Sequence, residues 1–99
     1  MGFGDAARCS PSGYEVRSVP VPARSFGHGL IVARPVDGAP VVLPATAASV
    51  LRSASDWSTR EAIDLALADL FPDVNDQERL RTLDELLCGL IGEGLLERR

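Results

Sequence analysis

Apolar and polar side chains alternate in short runs along residues 1–43 and recur every third or fourth position after them. Tyr14-Glu15-Val16-Arg17-Ser18-Val19 has the alternation of a half-buried strand. Pro20 and Pro22 close it, because proline cannot donate to a ladder. Gly29 to Arg34, with Leu30-Ile31-Val32-Ala33 inside it, predicts a second strand, and Val41-Val42-Leu43 a third. Between them stands Val36-Asp37-Gly38-Ala39, and Asp-Gly between two β-rich runs is a strong short-range hairpin signal.

The periodic half predicts three helices. Ala45 to about Ala54 places Ala47, Val50 and Leu51 on one face, and Pro44 before it offers no side-chain cap. Ser58-Thr59-Arg60-Glu61 has capping-box spacing, with the Ser58 hydroxyl set to accept from the Glu61 amide and Trp57 placed to staple against Ala62. The helix it opens runs to about Leu70, with Ile63, Ala66, Leu67 and Leu70 inward, and Pro72 stops it. Asn75-Asp76-Gln77-Glu78 is a second box, opening a helix to about Ile91 that Gly92 and Gly94 allow to end. Leu95 and Leu96 follow as a short apolar segment. Strands followed by helices, and not alternating with them, predict an α+β domain over residues 13–99, behind a loose tail of residues 1–12.

Composition narrows the function classes. Ninety-nine residues, 45% hydrophobic and 24% charged, have the balance of one soluble globular domain. No apolar run nears the roughly 18 residues that cross a bilayer, and Met1 to Asp5 lacks the start of a secretory signal. Cys9 and Cys88 stand far apart without neighbouring ligands, which fits a reducing cytoplasm and neither a disulfide nor a metal. His28 is the single histidine, with no nucleophile or carboxylate beside it, so no catalytic set and no cofactor is expected. Asp64, Asp69, Asp84 and Glu85 read as solvated helix faces. The net charge of −4 is uneven: residues 44–99 hold six Arg against eleven acids. A helix that reads DNA brings positive charge to the phosphates, whereas Asn75 to Gly92 holds Arg79 and Arg81 against four acids. Nucleic acid is therefore not the expected partner, and a winged-helix DNA-binding or transcription-associated interaction domain remains as the alternative.

Two places carry more than packing. Val41-Val42-Leu43 is apolar on both faces and uncharged, so if no other segment covers it, it offers unpaired N–H and C=O groups to a passing chain. The N-terminal tail, the Leu95–Leu96 segment or a second copy in a weak homodimer are the other ways to fill that edge. On the last helix Leu80, Leu83, Leu87 and Ile91 form one stripe, and Leu86 and Leu90 flank it with Arg79. That flank either belongs to the core or lines a groove.

The order of parts resembles the PqqD-like family, the recognition elements for ribosomally made, post-translationally modified peptides. The likeness covers about residues 14–97 and rests on Leu43-Pro44-Ala45-Thr46-Ala47-Ala48 opening the first helix, Val74-Asn75-Asp76 opening the third, and the ending Gly94-Leu95-Leu96. It implies a winged-helix-like domain, a three-stranded antiparallel N-terminal sheet followed by three helices. It also implies a non-catalytic role: binding the leader of a precursor peptide as an added strand and handing it to a modifying enzyme, a maturase or protease. Carried over, the edge maps to Pro40, Val41, Val42 and Leu43, and the helical wall to Arg79, Leu83, Leu86 and Leu90. Arg79 is placed to meet a leader carboxylate or, equally, an acid of its own surface. Strand addition divides the labour, with main-chain bonds giving affinity and side-chain pockets giving specificity.

Overall fold

In the computed structural model, residues 15–99 are described. The expected tail over 1–12, Cys9 and Tyr14 lie outside them. The chain order is β1 (Glu15–Ser18), β2 (Ala23–Phe26), β3 (Gly29–Ala33), β4 (Pro40–Leu43), α1 (Ala45–Ser53), β5 (Ser58–Thr59), α2 (Arg60–Leu70), α3 (Asp76–Gly92) and β6 (Leu96–Arg98). The α+β class holds, with two three-stranded antiparallel sheets, ordered β5-β1-β6 and β2-β3-β4. None of the helices described is long and apolar enough to cross a membrane.

The expected first strand forms, but it does not join the second and third. β1 pairs with β6 through Val16↔Arg98, Arg17↔Glu97 and Ser18↔Leu96, so the apolar segment after α3 closes a separate sheet. The place beside β3 goes to β2, a strand whose four side chains are all exposed and which therefore leaves no apolar alternation to read. Its register, Phe26↔Gly29, leaves Gly27-His28 as a two-residue turn. Gly27 has φ +60°, the geometry in which a turn with glycine first matches the strand twist. The β3–β4 hairpin forms as expected, although Ala33↔Pro40 leaves residues 34–39 as its loop. There the Arg34 guanidinium grips Asp37 (2.9 and 2.6 Å) and reaches Glu93 (3.0 Å). The Arg34 hydrogen bond, helped by the Ala39 amide, draws the Asp37 carboxyl down to about 2.

The core is built around α1. Ala47, Ala48, Ser49, Val50 and Leu51 are buried in succession, and the Ser49 hydroxyl is satisfied by donating to the Ala45 carbonyl (2.8 Å). Pro44 supplies no side-chain cap; its carbonyl accepts from Ala48 (2.9 Å). The cap of α2 is one residue later than the box spacing predicts. Ser58 lies in β5 opposite Val16 and its hydroxyl donates to the Asp56 carbonyl, so Thr59 takes the cap and accepts from Ala62 (3.1 Å). The Trp57 ring meets the guanidiniums of Arg17 and Arg99, 4.5 and 4.4 Å from its centre. Ile63 and Leu67 face inward from α2, whereas Leu70 is 58% exposed. Asn75 caps α3, accepting from Glu78 (2.8 Å). Two bonds close the far end, Gly94 N–H to Ile91 (3.0 Å) and Leu95 N–H to Leu90 (2.9 Å).

Gly29 marks the tightest approach: a Cβ built there would fall on the Leu43 carbonyl oxygen, a backbone atom with nowhere to move. We expect Gly29→Ala to destabilise by about 1–3 kcal/mol, the range for overpacking. Gly89→Ala, on an open face of α3, should stabilise by about 0.5–1 kcal/mol through helix propensity. Urea denaturation of the two variants checks both signs.

Candidate functional site

β4 is an edge: among the described residues it pairs only with β3. The phase of the ladder says which of its groups are open. The Ala33 N–H donates to Pro22, on the β2 side, and the Arg34 N–H to Ala39, on the β4 side. Bonding direction alternates along an antiparallel strand, so Val41 and Leu43 turn their backbone to β3 while Pro40 and Val42 turn theirs outward. Pro40 and Pro44 lack N–H groups, so the edge presents one outward donor, at Val42, and the carbonyls of Val42 and Pro40. The side chains alternate as well: Leu43 is 6% exposed and joins the core, and Val42 is 62% exposed. β2 is the other edge of this sheet, but it carries Arg24, and a charge blunts an edge.

The expected helical wall is only partly a wall. Leu83 and Leu90 are 0% and 4% exposed and belong to the core. Both lie where the helix meets the rest of the domain, a covering that periodicity cannot reveal. Leu86 is half-buried and packs against that core. Arg79 does not wait for a ligand: its Nε and Nη2 bind both oxygens of Asp64 (2.8 and 3.2 Å) and its Nη1 binds Asp76 (3.0 Å). The hydrogen bond it donates to Asp64 is the main reason its pKa rises above the ordinary arginine value. Arg60 grips Asp84 in the same two-pronged way (2.6 and 3.0 Å) and is raised for the same reason. Asp64 and Asp84, expected as solvated acids, are thus the clamps between α2 and α3.

A cavity of about 190 Å³ opens where α1 begins, α2 ends and α3 begins. Leu67, Phe71 and Val74 give it an apolar lining, and Thr46, Glu78, Arg79 and Thr82 the polar part. Thr46 is four residues from Val42, so the two lie at most about 14 Å apart, although no residue of β4 lines the cavity. Of the expected wall residues only Arg79 lines it. The α3 signal that finds the others is Glu78 and Thr82, four apart and so on one helical face. Phe71 and Val74, in the connection between α2 and α3, leave no periodic trace. A second, open depression of about 260 Å³ crosses the sheet over Pro22, Arg24, Ile31, Ala33 and Pro40.

Among the described residues no group of three His, Cys, Asp or Glu side chains is placed to hold a metal ion. His28 is exposed in the β2–β3 turn, and Cys88 is half-buried on α3.

If Arg79 is committed to Asp64, a double-mutant cycle on Arg79→Met and Asp64→Asn must be non-additive in denaturation, and additive single effects would return Arg79 to the pool of free cations. The parallel cycle on Arg60→Met and Asp84→Asn should show coupling of about 1 kcal/mol, the upper end for a pair that water still reaches. Set against protein-family models, curated proteins and solved structures, the chain matches none of them.

Proposed function

We propose that the chain is a peptide-binding domain of the PqqD-like kind, a winged-helix-like unit that takes the leader of a ribosomally made precursor peptide as an added strand on β4. It then presents that peptide to a modifying enzyme, a maturase or protease of the same pathway. One observation carries the reading: an uncharged edge strand with an exposed Val42 and an outward N–H and C=O. The order of β2, β3 and β4 before three helices supports it.

Magnitudes divide the work between edge and cavity. The outward groups support three main-chain bonds, each worth about 0.5–1.5 kcal/mol net. Their sum is at best about 4.5 kcal/mol, an association no tighter than roughly half-millimolar. The edge therefore sets register and direction, and side chains seated in the cavity supply the rest. The DNA-binding alternative draws less support, because α3 has two arginines against four acids and one of the two, Arg79, is held by Asp64 and Asp76.

Val42→Pro deletes the outward donor and no bond to β3, so it should spare folding, as proline does on sheet edges. Val41→Pro removes a donor that faces β3 and should lower stability. We expect Val42→Pro to weaken binding of a leader peptide, from a precursor gene adjoining this one, at least tenfold in fluorescence anisotropy. Unchanged affinity in a folded Val42→Pro protein would refute strand addition at β4. Affinity for duplex DNA that climbs steeply as salt is lowered would favour the alternative.

A further inference from the structure

We infer that the cavity between the start of α1, the end of α2 and the start of α3 selects a basic side chain, Lys or Arg, from the guest strand. The inference rests on the strand-addition reading and specifies the chemistry of its ligand. At about 190 Å³ the cavity has room for about six waters, below the roughly 300 Å³ at which small-molecule sites begin, so it fits one side chain. Its two-part lining suits a long residue with an aliphatic stem and a polar head: the stem lies against Leu67, Phe71 and Val74, and the head stays at the rim.

Charge decides which head. The positive group at the rim, Arg79, is bound to Asp64 and Asp76, one guanidinium between two carboxylates. Glu78 adds a third carboxylate. The spacing of Asn75 and Glu78 predicts a reciprocal box, but only the bond from the Glu78 amide to Asn75 forms, and no partner for the Glu78 carboxylate is found among the described residues. Arg79 and Glu78 line the cavity. Counted with Asp64 and Asp76, which hold Arg79 from behind the lining, the group has net charge −2, within a half-chain that holds six Arg against eleven acids. An acidic guest is repelled there. A cation meets Glu78 with the hydroxyls of Thr46 and Thr82 beside it. Of the two roles expected for Arg79, this leaves the ion pair with its own surface and not the leader carboxylate.

The test uses a display library of random dodecapeptides, selected on the full chain and, separately, on its Glu78→Lys variant. Peptides selected on the wild type should be enriched in Lys or Arg at one position of a β-prone segment, and those from Glu78→Lys should lose that enrichment or become acidic. Glu78→Gln should weaken a wild-type-selected peptide about fivefold, less so in 0.5 M salt. If the selected peptides are sensitive to Val42→Pro but carry no basic bias, or keep it on Glu78→Lys, the charge inference fails and strand addition stands. If no peptide emerges, or those that do ignore Val42→Pro, strand addition itself fails and takes the inference with it.

Discussion

The burial of α1 is the constraint on which the site depends. Five successive residues, Ala47 to Leu51, are buried, which is possible only because neighbours from both sheets and both other helices surround this helix. Small side chains at Ala47 and Ala48 permit that closeness; larger ones would force the layers apart. α1 begins directly after β4 with Pro44 between them, so the strand inherits the fixity of the helix. At the strand's other flank, Gly29 packs its bare backbone under the Leu43 carbonyl. The outward groups of Val42 thus sit on a rigid element, and a guest strand meets an edge that needs no ordering of its own.

Where local chemistry decides, the sequence is a good guide. The β3–β4 hairpin, α1, and the Asn75 cap of α3 all form because turn residues, apolar period and cap chemistry act over a few positions. β2 escaped because its side chains face solvent on every position, so its strand state comes from its partner and from the Gly27-His28 turn. The pairing of β1 with residues 96–98 joins opposite ends of the chain, and nothing within either segment encodes it. The shift of the α2 cap from Ser58 to Thr59 has the same origin, since pairing with Val16 holds Ser58 extended and gives the cap to the next hydroxyl.

The site divides along the same line. An uncharged apolar strand makes Pro40 to Leu43 a candidate edge, but only the pairing of residues 96–98 with β1 leaves it open, and only the ladder phase shows that two prolines leave it a single outward donor. Helical periodicity gives the direction of Leu83, Leu86 and Leu90 and not what covers them, which is why two of the three proved to be core. Arg79 and Asp64 lie fifteen residues apart on antiparallel helices, so their pairing is a property of packing alone. Glu78 had the opposite history: its box spacing suggested an internal partner, and the folded chain leaves its carboxylate open at a cavity rim.

The prolines and the cavity belong to one physical solution. A long uncharged edge strand is a hazard, because any second chain with β propensity can continue the sheet. Pro40 and Pro44 shorten this one to a single donor, so backbone pairing alone is too weak to hold a guest at micromolar concentration. A guest that also fills the cavity gains apolar burial of about 25 cal/mol per Å², and only that guest crosses the threshold. On the proposed reading, edge and cavity act as a coincidence detector, in which neither interaction suffices alone. Under that proposal selectivity would follow from the weakness of the main-chain contact and not from its strength, leaving the lining and charge of the cavity to choose the partner.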